Sequence, residues 1–303
     1  MKKAVPYSLF ALLAVGVLLP ALYLYGPWRP KPQPVFDHSH GCIAQIALPS
    51  GYERTPDGGD DFAAFLRSLP LAADTVPVRR ITGEVADSLV PYTYRVIDLP
   101  LLHRHEQCAD VCIYLRAEYL FRSRQFLKIH FQDTQYHTMR YYWGGRRSRF
   151  IPYLLRVFKY ANTESLIHEM PSRRLSEMQV GDVFVYSVKD RTDQRYGHAI
   201  IVADMAVNRV TGQKLFMLAQ GSTPACSIHI LCNRKNDELS PWFALDEVAS
   251  TIDLGTATYQ ANELRYFSER YFDWDHYDTM HFEYRPKILR KAMQQDGHKE
   301  RPS

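Results

Sequence analysis

Apolar residues along this chain follow several different periods, and each change of period marks an element. The first run is unbroken: Lys2 and Lys3 precede an uncharged stretch from Ala4 to Pro27. About twenty apolar residues span a bilayer, and Tyr23, Tyr25 and Trp28 suit the interface beyond it. Residues 1–28 therefore predict a membrane segment, N-terminus in and body outside the cytoplasm. No small-x-small cleavage site follows closely, so an uncleaved anchor is expected ahead of a cleaved signal peptide. Residues 29–41 carry Pro30, Pro32 and Pro34 and predict a semi-extended tether.

The body is expected over residues 42–285. Asp60 and Asp61 cap a helix whose apolar face is Phe62, Phe65, Leu66 and Leu69, stopped by Pro70. Residues 76–99 alternate loosely around Gly83 and Pro91, which predicts short strands. The clearest helical period runs from Gln107 to Phe121, with Cys108, Val111, Cys112, Leu115 and Tyr119 on one stripe. Arg116 and Glu118 must then leave that stripe or pair. Residues 127–150, aromatic and basic, predict hairpin and loop; Tyr141, Tyr142 and Trp143 are expected in the core ahead of lining a groove. Helices follow at Phe150 to Tyr160 and Glu164 to Met170. The remainder predicts an antiparallel sheet, with strands at Val183 to Val188 and His198 to Val207. Asn208 to Gly212 is a turn, Lys214 to Gln220 returns, and Ser227 to Leu231 adds a strand. Residues 286–303 are charged and predict a disordered tail. The pattern has no internal repeat, and it predicts an α+β fold with an antiparallel sheet packed on helices.

Composition narrows the function classes. At 303 residues the chain fits one large domain or two small ones, and 46% hydrophobic content suffices for a core. The net charge of +4 is diffuse, and much of the excess lies in the C-terminal tail, so no nucleic-acid partner is expected. There is no phosphate loop and no dinucleotide fingerprint. His103-Arg104-His105 is a weak metal candidate, because histidines two apart share a face only on a strand. No cofactor and no metal are expected. The five cysteines in an exported chain raise the question of disulfides. Cys226 and Cys232 lie on one strand-like segment, ~20 Å apart if extended, so they bridge only if the chain turns back. Cys108 and Cys112 are one helical turn apart, a poor geometry. An odd count leaves at least one thiol free.

The candidate chemistry starts at Cys108. As the first residue of a helix, its sulfur sits near unpaired backbone N–H groups and the positive dipole end, which lower a thiol pKa and supply donors for an oxyanion. The commonest fate of a free cysteine is nonetheless burial as a small apolar residue. His198 follows Gly197 and heads an apolar strand, where an imidazole can take the thiol proton. With twelve histidines in the chain, a surface histidine at a strand edge is the plain alternative. A third polar group should fix the imidazole tautomer. The hairpin brings Gln220 back level with His198, which makes Gln220 the first choice, ahead of His229 and Asp204.

Several blocks together carry a family resemblance: Gln107-Cys108-Ala109-Asp110, Leu115 to Leu120, Gly181-Asp182-Val183-Phe184, Gly197 to Val202, Leu218-Ala219-Gln220, Ile228 to Leu231 and Leu239 to Trp242. They resemble the bacterial family catalogued as domain of unknown function 4846, over about residues 45 to 270. That resemblance implies a secreted or membrane-tethered bacterial protein with no established activity. More loosely, the chain is similar to the NlpC-type and CHAP-type cell-wall hydrolases of the papain-like superfamily. This second resemblance implies a papain-like fold with Cys108 as nucleophile, His198 as base and Gln220 as orienting residue. Three features depart from it. Gln107 stands where an aspartate is usual, the insert between Phe121 and Gly181 is long, and Gln220 lies far from the histidine in sequence.

The first reading is thus a thiol-dependent amidase or peptidase in the bacterial cell envelope, anchored to the inner membrane with its body in the periplasm or otherwise outside the cytoplasm. Peptidoglycan peptides or another envelope amide are the substrates implied by resemblance. A non-catalytic envelope module binding a glycan, peptide or protein partner is the alternative, and a purely structural envelope protein is a third.

Overall fold

The computed structural model describes residues 35–56, 61–191 and 194–268. The expected membrane segment, residues 29–34 of the tether, the expected cap Asp60, and residues 269–303 with the charged tail lie outside these residues. Among the described residues no helix is long and apolar enough to cross a membrane.

The described chain is α+β. Its helices are α1 (Asp61–Arg67), α2 (Cys108–Arg122), α3 (Arg147–Tyr160) and α4 (Thr163–Glu169). Its strands are β1 (Tyr52–Arg54), β2 (Thr93–Val96), β3 (His130–Gln132), β4 (Thr138–Arg140), β5 (Val183–Tyr186), β6 (His198–Asn208), β7 (Lys214–Gln220), β8 (His229–Leu231), β9 (Phe243–Ala244), β10 (Thr251–Asp253), β11 (Thr258–Gln260) and β12 (Leu264–Arg265). The main sheet is antiparallel in the order β12-β5-β6-β7-β8-β2, with β1 on β6 and β9 on β7. Two hairpins, β3–β4 and β10–β11, stand apart from it.

The turn between β6 and β7 forms because Asn208 Oδ1 accepts from the N–H groups of Val210 and Thr211, and Gly212 supplies a positive φ of 75°. That turn sets the register in which Ile201 pairs with Ala219. The register shifts between Val202 and Asp204, the mark of a bulge.

Helix α2 departs from the one-sided stripe expected of it. Every residue from Cys108 to Phe121 is buried, because the helix is held between the sheet on one side and α1 and α3 on the other. Its two charged residues are accommodated separately. The Arg116 guanidinium lies over the rings of Phe62, Tyr119 and Phe267, at 4.9, 5.2 and 5.7 Å. The Glu118 carboxylate pairs with Arg122 one turn on and with Arg147 of α3. A helix buried on all sides carries no clean amphipathic period.

Residues 76–99 form one strand, β2, and isolated bridges at Arg79–Val85, Arg80–Cys226 and Leu71–Ile97. Gly83, at φ 89°, turns the chain back, and the segment closes over a small satellite core of Ala72, Val78, Ala86, Val96 and Cys226. Tyr141 packs into the main core against Phe121, Phe150 and Tyr153, while Trp143 is partly exposed. All five cysteines are free thiols.

Candidate functional site

The site forms where the start of α2 meets the ends of β6 and β7. Gln107 precedes the helix in an extended conformation, and its N–H is held at 2.9 Å by the Asp110 carboxylate from the first turn. This cap fixes the point at which the helix begins, so Cys108 is its first residue. The Cys108 N–H has no intrahelical acceptor there.

Two glycines allow close packing at the site, Gly221 against the start of α2 and Gly197 against the start of α4. A Cβ on Gly221, the residue after β7, would meet Val111 Cγ2 at 2.6 Å. A Cβ on Gly197, the residue before β6, would collide with Thr163 Oγ1 and would lie 2.8 Å from the Tyr186 carbonyl oxygen. Only hydrogen fits at either position, so the sequence places glycine beside both His198 and Gln220 for a packing reason.

The three residues expected at the site are brought together. Cys108 is buried, its Sγ lies 3.9 Å from the Gly197 carbonyl oxygen, and the half-buried His198 is near enough to act on its charge. His198 Nε2 lies 2.8 Å from Gln220 Oε1. The sheet explains this contact. Ala219 pairs with Ile201, so Gln220 stands opposite Ile200, and His198 is its diagonal neighbour on the same face. Gln220 and His229 are a direct cross-strand pair, and the Gln220 amide nitrogen lies 3.3 Å from His229 Nε2. His229 Nδ1 is 2.9 Å from the Ser227 carbonyl oxygen. The sequence ranks His229 as a rival to Gln220, whereas it stands behind it in one chain. Asp204 is remote from this chain and is held by Arg54 and Arg67 at 2.7 Å each.

The electrostatics favour charge separation. Burial alone pushes the Cys108 thiol up, but the His198 imidazolium, its hydrogen bond and the N–H groups of Ala199 and Ala109 outweigh it and hold the thiol below its usual range. Burial disfavours the His198 cation, and the adjacent thiolate and the bonds from Cys108 and Gln220 more than restore it, so its pKa is raised. Cys112, one turn deeper, has no such partner charge, and burial raises its thiol well above the ordinary value. Two carboxyls flank the nucleophile position, Glu106 and Asp110, both buried. Burial lifts Glu106 to about 7 and Asp110 well above its ordinary value. Neither carboxyl stands out in the sequence pattern except through its place beside a helix start.

Two clefts flank the pair. One, of about 640 Å³, opens on Cys108 and is walled by α2, the end of α3, α4 and the segment before β6, including Lys159, Asn162, Thr163 and Arg195. The other, of about 510 Å³, opens on His198 and Gln220 and reaches Tyr92 and Thr256. They share Arg195, Tyr196, Gly197 and Thr223 as a common wall. His103 and His105 have ring centroids 4.9 Å apart, and His105 lines the first cleft. Among the described residues no group of three or more His, Cys, Asp or Glu side chains is arranged to hold a metal ion.

No curated protein and no solved structure matches the chain. The family model described as domain of unknown function (4846) matches residues 43–150 and 143–266. These spans hold the whole of the Cys108, His198, Gln220 and His229 cluster, and the chain belongs to that family.

Proposed function

We propose that this protein is a papain-like thiol hydrolase of amide bonds in the bacterial cell envelope, tethered to the membrane by its N-terminal segment. The observation that carries the reading is geometric: the buried Cys108 opens α2 with its Sγ 3.9 Å from the carbonyl of Gly197, and the next residue, His198, is held by Gln220 at 2.8 Å, a neighbour whose charge lowers the thiol pKa against its burial. A thiolate and imidazolium pair of this kind is a nucleophile with its acid already beside it.

The chemistry follows in two balanced steps. The Cys108 thiolate attacks the carbonyl carbon, forming a C–S bond, and the negative charge moves to oxygen within reach of the Cys108 N–H at the helix start. His198 gives its proton to the leaving nitrogen, the C–N bond breaks, and a thioester and an amine result. A water then loses a proton to His198 and attacks the thioester. The carboxylic acid leaves and the thiolate and imidazolium are regenerated. Open space on both sides of the pair supports cleavage within a chain rather than at its tip, since acyl and leaving groups each have a cleft. Stem peptides of the cell wall are the substrate class to test first.

One observation favours a second reading, a binding module on the same framework: Cys108 is only 4% exposed. The rate of iodoacetamide labelling against pH separates the two. The hydrolase reading expects Cys108 to react well below the ordinary thiol midpoint of ~8.5, with Cys112→Ser unchanged. A midpoint at or above that value, or no labelling of the folded protein, overturns it and leaves the binding module.

A further inference from the structure

The hydrogen-bond chain behind His198 ends on a backbone carbonyl, and a carbonyl oxygen can only accept. His229 Nδ1, 2.9 Å from the Ser227 oxygen, must therefore carry a hydrogen. His229 is fully buried, and burial lowers its pKa to about 4, so it is neutral at pH 7 and its Nε2 is a bare acceptor. The group 3.3 Å from that nitrogen must be a donor, which is the amide nitrogen of Gln220. The Gln220 oxygen is thereby turned to His198, 2.8 Å from its Nε2. An amide oxygen accepts and never donates, so Nε2 of His198 keeps its hydrogen in both charge states. The proton exchanged with Cys108 then resides on Nδ1.

We propose that His229 is a positioning residue that sets the tautomer of His198 through the Gln220 amide. An imidazolium at His198 also demands the amide oxygen, but beside the neutral ring that follows proton transfer only His229 distinguishes the two ends of the amide, and without it the amide can turn over. A flipped amide offers His198 an N–H, which forces the ring into the tautomer with Nδ1–H and Nε2 bare. In that tautomer Nδ1 cannot take the thiol proton. The proposal deepens the hydrolase reading and rests on it for its functional weight, but the polarity of the chain is independent of any substrate.

The test is a long-range ¹H–¹⁵N spectrum of the histidine rings in the folded protein at neutral pH, combined with Cys108 labelling against pH for wild type, His229→Leu and His229→Gln. The expected spectrum has His229 neutral with hydrogen on Nδ1. His229→Leu should move the labelling midpoint upward and slow labelling at pH 7 by about tenfold or more. His229→Gln, which keeps an amide oxygen near the position of Nε2, should restore most of the rate. A His229 ring with hydrogen on Nε2 overturns the proposal, even if the leucine variant fails to fold. So does a folded His229→Leu with the wild-type labelling profile. If wild-type Cys108 labels as an ordinary thiol while His229 shows the expected tautomer, the hydrolase reading fails and the polarity inference stands.

Discussion

At the scale of single residues, the cluster predicts unequal consequences for its members. Cys108→Ala and His198→Ala should each remove most amide hydrolysis, by roughly 10³-fold or more, and the double variant should be no worse than either. Gln220→Ala should fall between these and wild type, because a neutral amide orients the ring and carries no charge. Initial rates on envelope peptides measure all four variants, and equal activity of Gln220→Ala and wild type would remove Gln220 from the unit. All three residues could be picked from the sequence. A cysteine that opens a 3.6-period run and a histidine that heads an unbroken apolar run, Ala199 to Ala203, are local patterns, and the short β6–β7 turn returns Gln220 to the histidine's level. The role of His229 could not be read in the same way. Its contact with Gln220 depends on β8 pairing with β7, and an intervening loop of eight residues does not set that register.

At the scale of elements, the proposed chemistry depends on how closely α2 approaches the sheet. Gly221→Ala places a methyl 2.6 Å from Val111 Cγ2, so either the helix start or the end of β7 must move. The expected result is a folded protein destabilised by about 1–3 kcal/mol, with Cys108 labelling slowed toward that of an ordinary thiol. Urea denaturation and the labelling profile check the two parts separately. A variant with wild-type values for both would mean that the approach is not tight. Helix α2 itself was easy to locate from its period and hard to orient. Its buried Arg116 and Glu118 break the apolar stripe, and their partners come from α1, α3 and the chain after β12. A charged residue in a helical pattern argues for a solvent face only when no other element covers it.

At the scale of the whole molecule, a buried carboxyl couples the fold to pH. Glu169 of α4 accepts the Gln132 N–H at 3.0 Å, and burial raises its pKa from 4.5 to about 8. The folded state thus holds a proton that the unfolded chain releases above about 4.5. The stability this contributes is full below that pH, declines as pH rises, and is lost through about 8. Glu169→Gln keeps an acceptor and cannot ionise. Relative to wild type it should gain stability between pH 5 and pH 8, by roughly 1–4 kcal/mol, in denaturant melts at the two values. Equal differences at both pH values would refute this. At the same scale, the proposed tether predicts that the full-length protein stays in the membrane fraction with Met1 or Lys2 as its N-terminus. A mature N-terminus between Leu22 and Gly41 would mean a released protein instead.

The periods of the chain were sufficient for the α+β class, for most helices and long strands, and for picking Cys108 and His198 as candidates, because each of these shows in neighbours within a turn or a hairpin. The short strands after Trp242, the reduction of residues 76–99 to one strand and isolated bridges, the burial of α2 on every side and the chain from His198 through Gln220 to Ser227 were decided only in three dimensions. Alternation assigns a side chain to a face of a strand and says nothing about which strand pairs beside it. The polarity of the site depends on that pairing. One backbone carbonyl, at Ser227, is fixed as an acceptor, and the order of donors and acceptors runs from it back to the thiol.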